Sequence, residues 1–338
     1  MRLLFYALIV LNFSSCYLTR AYKYRKLELN DVHRMPSVTI PKSDEPYYFT
    51  DGTKTHQYEN LNTYLDTNLA KSRTAAFIVI RNDSILYERY FNGFTRQSNL
   101  PSFSVAKSFV STLIAIAAKE GKIRSLQEPI STYFPELYKK DKRFSNITIQ
   151  HLLDMRSGLH FREGTYNLKD DAIKLGFRPN LLKHALKVKI EKEPGEFKYQ
   201  SINTELLALI IERATGKKIS DYLHEKLWQP LGAEYSATWN VDSKRYQQEI
   251  AFAGLNATAR DFAKLGQLFL QHGKWRDKQL VPASWINTIN NADSMQKAGG
   301  YKNQWWSSLN YKYFKDSMSA VAFRDKKEWP GPVRKTRK

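Results

Sequence analysis

Ser104 and Lys107 stand three residues apart, at the head of the apolar run Phe109 to Ala118. A hydroxyl and an amine in that spacing can make a nucleophile and its base. On a helix, positions i and i+3 share a face, so the two groups can meet. A free lysine, with a pKa of about 10.4, is protonated at neutral pH. Burial disfavours the ammonium and can lower that value by up to about 3–5 units. The unpaired N–H groups of a helix start also favour negative charge on an oxygen held there. Ser-x-x-Lys alone is weak evidence, because serine is a favoured helix cap. The pattern recurs at Ser294 to Lys297, in a polar stretch ending in Gly299-Gly300. With no apolar helix behind it, that copy is expected on a surface loop.

The elements that must position Ser104 are legible nearby. The run from Ser104 to Ala118 is too long for a strand, is apolar nearly all round, and ends at Gly121, so it predicts a buried helix. Before it, Thr74 to Ile80 and Ile85 to Phe91 predict two strands joined at Arg81-Asn82-Asp83-Ser84. Beyond it, Thr148 to Gly158 predicts a short capped helix, with His151 packed or capping rather than a ligand. Tyr199 follows the Glu193-Pro194-Gly195 turn and precedes a helix over Asn203 to Gly216, whose buried face carries Leu206, Leu207, Ile210 and Ile211. Further helices are predicted over Ser220 to Trp228 and Thr258 to Gly273, the latter opening on Thr258 and Asp261 as a capping box.

Length and composition set the class. The chain has 338 residues, 42% hydrophobic and 25% charged, with a formal net charge of +20. That composition suits a globular body with a sizeable core. The basic residues are scattered, which fits a solvated surface or affinity for a polyanionic envelope. No nucleic-acid-binding signature is present, so nucleic acid is not expected as a partner. The seven histidines include no H-E-x-x-H, and one cysteine cannot build a cysteine zinc site. No metal and no cofactor is expected. The absence of G-x-S-x-G argues against an α/β-hydrolase elbow.

Met1-Arg2 leads into the apolar run Leu3 to Leu11, and small residues precede Cys16. Residues 1–16 therefore predict a secretory signal, too short to span a bilayer comfortably. The segment resembles a bacterial lipoprotein signal, which would make Cys16 a lipid anchor; plain cleavage near Ser15 is the alternative. Residues 17–59, polar, basic and interrupted by Pro36, Pro41 and Pro46, are expected to form an arm with little core of its own. Residues 60–338 are expected to form the folded domain.

A hairpin, then Ser104-x-x-Lys107 opening a buried helix, then Tyr199-Gln200-Ser201 before a second helix, resembles the serine β-lactamase and penicillin-binding-protein superfamily. The wording is most similar to the class C-like branch of 6-aminohexanoate-dimer hydrolases and related esterases. Ile149 to Leu159 resembles the family's stretch between the two motifs, and Ala253 to Asp261 and Gln304-Trp305-Trp306 resemble later landmarks. The resemblance implies an α+β fold: an α/β lobe with an antiparallel sheet flanked by helices, plus an inserted all-helical lobe. It implies that Ser104 is acylated, that Lys107 and Tyr199 share the proton work, and that water hydrolyses the acyl-enzyme. Ser201 would face substrate or hydrogen-bond within the site. The substrate would be a small amide or ester, or a peptidoglycan-like molecule. The place would be the cell envelope, at a membrane held through the lipid anchor.

The resemblance also leads one to expect a third motif, Lys-Thr-Gly or a His/Leu-x-Gly variant, beyond Trp306. Lys335-Thr336-Arg337 lacks the glycine. The expectation is a chain lacking the last sheet strands and C-terminal helix. Three readings stay open here: an amide or ester hydrolase, a D,D-peptidase or β-lactamase, and a truncated non-catalytic relative.

Overall fold

The computed structural model describes residues 31–53, 59–164, 169–290 and 301–306, with Arg20, Tyr22, Glu28 and Leu29. Two small sheets frame the molecule. One is four-stranded, in the order β1 (Ser37–Ile40), β8 (Ala237–Asn240), β9 (Leu255–Ala257), β5 (Leu100–Pro101). The other places β4 (Ser84–Tyr90) between β2 (Thr50–Asp51) and β3 (Ala76–Arg81). The predicted hairpin is β3–β4. Asn82 and Asp83 both hold positive φ, the geometry of a tight hairpin turn, and Arg81 pairs with Ser84 across it. Helix α1 (Glu59–Ala70) precedes the hairpin.

The arm expected over residues 17–59 is corrected by the part that is described. Ser37–Ile40 is a strand of the larger sheet, antiparallel to Ala237–Asn240. Ile40 and Phe49 are buried, and Tyr47 packs edge-on against Trp275. The prolines delimit this stretch rather than unfold it: Pro36 lies just before β1 and Pro41 just after it. The signal segment with Cys16, the second Ser-x-x-Lys over Ser294 to Lys297, and the chain after Trp306 all lie outside the described residues.

Helix α2 (Ala106–Lys119) is the axis of the core, buried from Ala106 to Ala117. After it come α3 (Pro135–Lys140), α4 (Ile149–Leu153), α5 (Asp171–Phe177), α6 (Leu181–Ala185), α7 (Ser201–Thr215) and α8 (Ile219–Leu223). Helix α7 packs on α2 and is buried from Ser201 to Ile211, so its buried face is wider than the apolar positions alone suggested and takes in polar residues. From α3 to α8 the strands among the described residues are one ribbon, β6 (Leu159–His160) with β7 (Lys189–Ile190). Thr148 caps α4: its hydroxyl accepts from the His151 N–H, and His151 Nδ1 accepts from the Thr148 N–H. His151 is thus a capping residue, as expected. Past α8 a π-helical turn, His224–Trp228, leads back to β8.

Helix α9 (Ala259–Leu270), capped by Thr258, returns the chain to the sheet side. There follow the ribbon β10 (Lys274–Trp275) with β11 (Lys278–Gln279) and helix α10 (Ala283–Asn290). Last is the small hairpin β12 (Tyr301–Lys302) with β13 (Trp305–Trp306).

Candidate active site

Ser104 lies where a strand becomes a helix. Leu100–Pro101 pairs with Asn256–Ala257, and the Ser102 N–H donates to Leu255 O at 2.9 Å. The chain then turns through a 3-10 segment, Phe103–Val105, into α2. Phe103 takes φ 44°, a left-handed conformation that costs a non-glycine residue free energy and persists only where the surroundings fix it. The turn leaves Phe103, Ser104 and Val105 exposed at the head of an otherwise buried helix.

Lys107 is one turn further and only 1% exposed. Its Nζ donates to Ser104 Oγ at 3.1 Å and to Phe252 O at 3.0 Å. The amine also lies 5.1 Å from the centre of the Tyr199 ring and 5.6 Å from that of Phe252. Burial pulls its pKa down from 10.5 to about 8, against the more distant negative charges of Glu163 and Glu205. Among the described residues no carboxylate comes within ion-pair distance of it. The three residues predicted to act together, Ser104, Lys107 and Tyr199, are thus gathered around one amine.

Tyr199 is held by a loop folded back on the end of α4. The Lys198 N–H donates to Met155 O and the Gly195 N–H to Arg156 O, each at 2.8 Å. Gly158 permits that approach. It has φ 70°, and a Cβ there would come within 2.2 Å of Lys192 O. The Arg156-Ser157-Gly158 landmark is therefore a seat for the tyrosine loop. The Tyr199 ring stacks on Trp306, with centroids 5.9 Å apart and planes 25° apart, and meets Tyr301 edge-on at 5.8 Å.

Ser201 opens α7 and is 2% exposed. Its hydroxyl donates to Glu163 Oε1 at 2.7 Å, and its N–H donates to Glu163 Oε2. Of its two expected roles, the structure shows the bond within the site. Glu163 is the residue that sequence reasoning missed. It follows β6 in the turn Phe161-Arg162-Glu163-Gly164 and has no motif around it. Its only sequence signal is a carboxylate in a Gly-containing turn, which is common on any surface.

The Tyr301–Trp306 hairpin is anchored to the helices that carry these groups. Asn303 and Gln304 hold positive φ at its turn. Ser108 and Ser111, on α2, donate to Gln304 O and Asn303 O at 3.1 and 2.6 Å. Gln304 Nε2 donates to Leu152 O and Leu153 O at 2.9 and 3.0 Å, while its Oε1 accepts from Thr204 Oγ1 at 2.6 Å. One amide joins α4, α7 and the hairpin. No group of three or more metal-ligating side chains occurs among the described residues.

This geometry agrees with the comparisons to known proteins. The Beta-lactamase family model matches residues 61–307. The 6-aminohexanoate-dimer hydrolase of Paenarthrobacter ureafaciens is 27% identical over 290 residues, 79% of this chain and 72% of that one. A provisionally named penicillin-binding protein of Bacillus subtilis, PbpX, is 26% identical over 220 residues, 62% of this chain and half of that one. A Bacillus anthracis structure, provisionally named a 6-aminohexanoate-dimer hydrolase, superposes with a TM-score of 0.69 at 29% identity, covering 83% of this chain and 79% of that one. The fold is β-lactamase/transpeptidase-like, and the chain belongs to the Beta-lactamase family, as a serine hydrolase.

Proposed function

We propose that Ser104 is the nucleophile that this hydrolase acylates, with Lys107 as its base and Tyr199 in the proton relay. The carrying observation is the buried Lys107 amine, 3.1 Å from Ser104 Oγ with no carboxylate in ion-pair distance among the described residues. A neutral amine accepts the Ser104 proton as Oγ forms a bond to the substrate carbonyl carbon. The ammonium then returns a proton to the leaving amine or alcohol as that bond breaks. The N–H groups at the helix start lie before the i→i−4 ladder and suit the developing oxyanion. Water, deprotonated by the same relay, hydrolyses the ester on Ser104.

The substrate class is a small amide or ester. A second reading, D,D-peptidase or β-lactamase, is favoured by the likeness to PbpX. The test uses a fluorophosphonate probe, p-nitrophenyl esters and a chromogenic cephalosporin. The wild-type protein should form an adduct that mass spectrometry maps to Ser104, Ser104→Ala should form none, and esters should turn over faster than the cephalosporin. An adduct on another serine, or no adduct, refutes the assignment. Faster cephalosporin turnover selects the second reading.

The place of action is the cell envelope, with Cys16 lipid-modified; what supports this is the run Met1 to Cys16. Membrane partition that Cys16→Ser abolishes is the expected result. Unmodified protein in a soluble envelope fraction would refute it.

A further inference from the structure

We infer that Glu205 is a positioning residue for the Lys107 base: from α7 it fixes the turn whose carbonyl holds the amine. This rests on the hydrolase reading above and adds a group that is 0% exposed and meets no substrate. Lys107 Nζ donates to Phe252 O at 3.0 Å. Phe252 lies in a tight turn, where the Ala253 and Gly254 N–H groups donate to Ile250 O at 3.3 and 2.8 Å. Two neighbouring residues fasten that turn. Ile250 is tied to β8: its N–H donates to Asn240 O at 2.9 Å, and its carbonyl accepts from Trp239 Nε1 at 3.1 Å. Ala251 is tied to α7: its N–H donates to Glu205 Oε2 at 3.0 Å. The residue next to the Lys107 anchor is thus held by the helix that follows the tyrosine motif.

The second oxygen of Glu205 has no hydrogen-bond partner among the described residues, and no cation there lies within ion-pair distance of the carboxyl. Burial pushes its pKa well above the carboxylate range, against the Ala251 N–H, and the charges of Glu212, Glu249 and Asp242 push it the same way. The nearby cation, Lys218, faces Glu212 at 3.4 Å and Glu249 at 3.9 Å. Near neutral pH Glu205 is therefore a neutral acid, which still accepts the Ala251 N–H through its carbonyl oxygen. The missing charge matters to the base. Ionised Glu205, like Glu163, would hold the Lys107 proton on and raise the pKa of the amine. The neutral acid fixes the turn and gives the amine no counterion. Its neighbours on α7 fasten other segments: Asn203 Nδ2 donates to Met155 Sδ at 3.3 Å, and Thr204 Oγ1 donates to Gln304 Oε1 at 2.6 Å.

The test measures kcat and KM for a p-nitrophenyl ester against pH in the wild-type protein, Glu205→Gln and Glu205→Met. Glu205→Gln keeps an uncharged acceptor for the Ala251 N–H, so kcat, KM and the midpoint of the pH profile should match the wild type. Glu205→Met fills the space without an acceptor. Its kcat per folded molecule should fall about 10- to 100-fold, the worth of one hydrogen bond to a charged group. KM should change little, because Glu205 is remote from substrate. The midpoint should move to lower pH, since an ammonium whose acceptor has drifted away is less favoured. A folded Glu205→Met with wild-type kcat and midpoint overturns the inference and leaves Ser104 acylation standing. So does Glu205→Gln as slow as Glu205→Met, which would place the effect in the charge. If Glu205→Met does not fold, Glu205→Asp takes its place. It withdraws the oxygen by one methylene and should lower kcat and the midpoint in the same sense; no change in either overturns the inference. No turnover by the wild type, with no adduct on Ser104, overturns the hydrolase reading and this inference with it.

Discussion

Among the described residues two lysines are each 1% exposed, Lys107 on α2 and Lys264 on α9. Burial lowers the pKa of both. They differ in what faces the amine. Lys264 Nζ lies 3.0 Å from Asp261 Oδ1 and 3.7 Å from Glu234 Oε1, and it donates to Gly232 O at 2.6 Å. Asp261 in turn accepts the Glu234 and Tyr235 N–H groups. Glu234 also meets Arg96 and Arg260, and Arg260 is bidentate to Glu88 of the hairpin. This is a closed ionic network that locks α9 to β4 and to the loop before β8. Among the described residues the Lys107 amine hydrogen-bonds only a serine oxygen and a peptide carbonyl, beside the Tyr199 and Phe252 rings. Desolvation with carboxylates in contact makes a structural ion pair, while desolvation without them makes an amine that can give up its proton near neutral pH.

The sharpest break of this comparison is a double dissociation. Lys107→Met keeps the apolar stem and removes the amine, so ester turnover should fall by about 10²–10⁴-fold while the fold survives. Lys264→Met should do the reverse. It strands Asp261 without its cation and should cost about 3–5 kcal/mol of stability, with turnover per folded molecule little changed. Chemical denaturation and kinetics on both variants check the pair. Equal effects on stability would remove the distinction.

The next effect is in pH. In the proposed mechanism Lys107 acts as a base only when neutral, and burial brings its pKa down to about 8. The rate should rise with pH to a plateau above that value and be about tenfold below the plateau one unit beneath it. A kcat/KM profile flat between neutral pH and pH 9 would show that the amine is not what titrates. The smallest effect tests the support around Lys107 from a distance. Thr148→Ala removes the α4 cap and should cost about 1 kcal/mol, with the midpoint of the pH profile unmoved. A moved midpoint would mean that the cap tunes the site and does not merely hold the helix.

What was legible in the sequence was local. Ser104 and Lys107 sit three apart on one helix, and an unbroken apolar run reports the burial that depresses the amine. The β3–β4 hairpin and the Thr148 and Thr258 caps need only a few neighbouring residues to declare themselves. What stayed hidden depends on distant pairing. Ser37–Ile40 is a short strand among prolines, and its partner Ala237–Asn240 lies some two hundred residues on. Glu163 enters the site because Leu159–His160 pairs with Lys189–Ile190 and because Ser201 begins the next long helix. The wide burial of α7 was also missed, since Asn203, Thr204 and Glu205 are polar and yet buried. A buried polar residue looks solvent-facing until its partner is known.

The Gln304 clasp has a consequence for how unfolding can be watched. Helices α2, α4 and α7 contain no tryptophan, yet each is hydrogen-bonded to a turn that is followed directly by two. Trp305 packs at 4.2 Å on Phe269 of α9, and Trp306 stacks on Tyr199 while remaining 59% exposed. The turn cannot leave without stripping partners from all three helices at once, so its departure and their melting are one cooperative event. Tryptophan emission from this pair is therefore a built-in optical gauge of helix α2. Trp305 senses its coupling to the sheet side, and Trp306 senses the seat of the tyrosine.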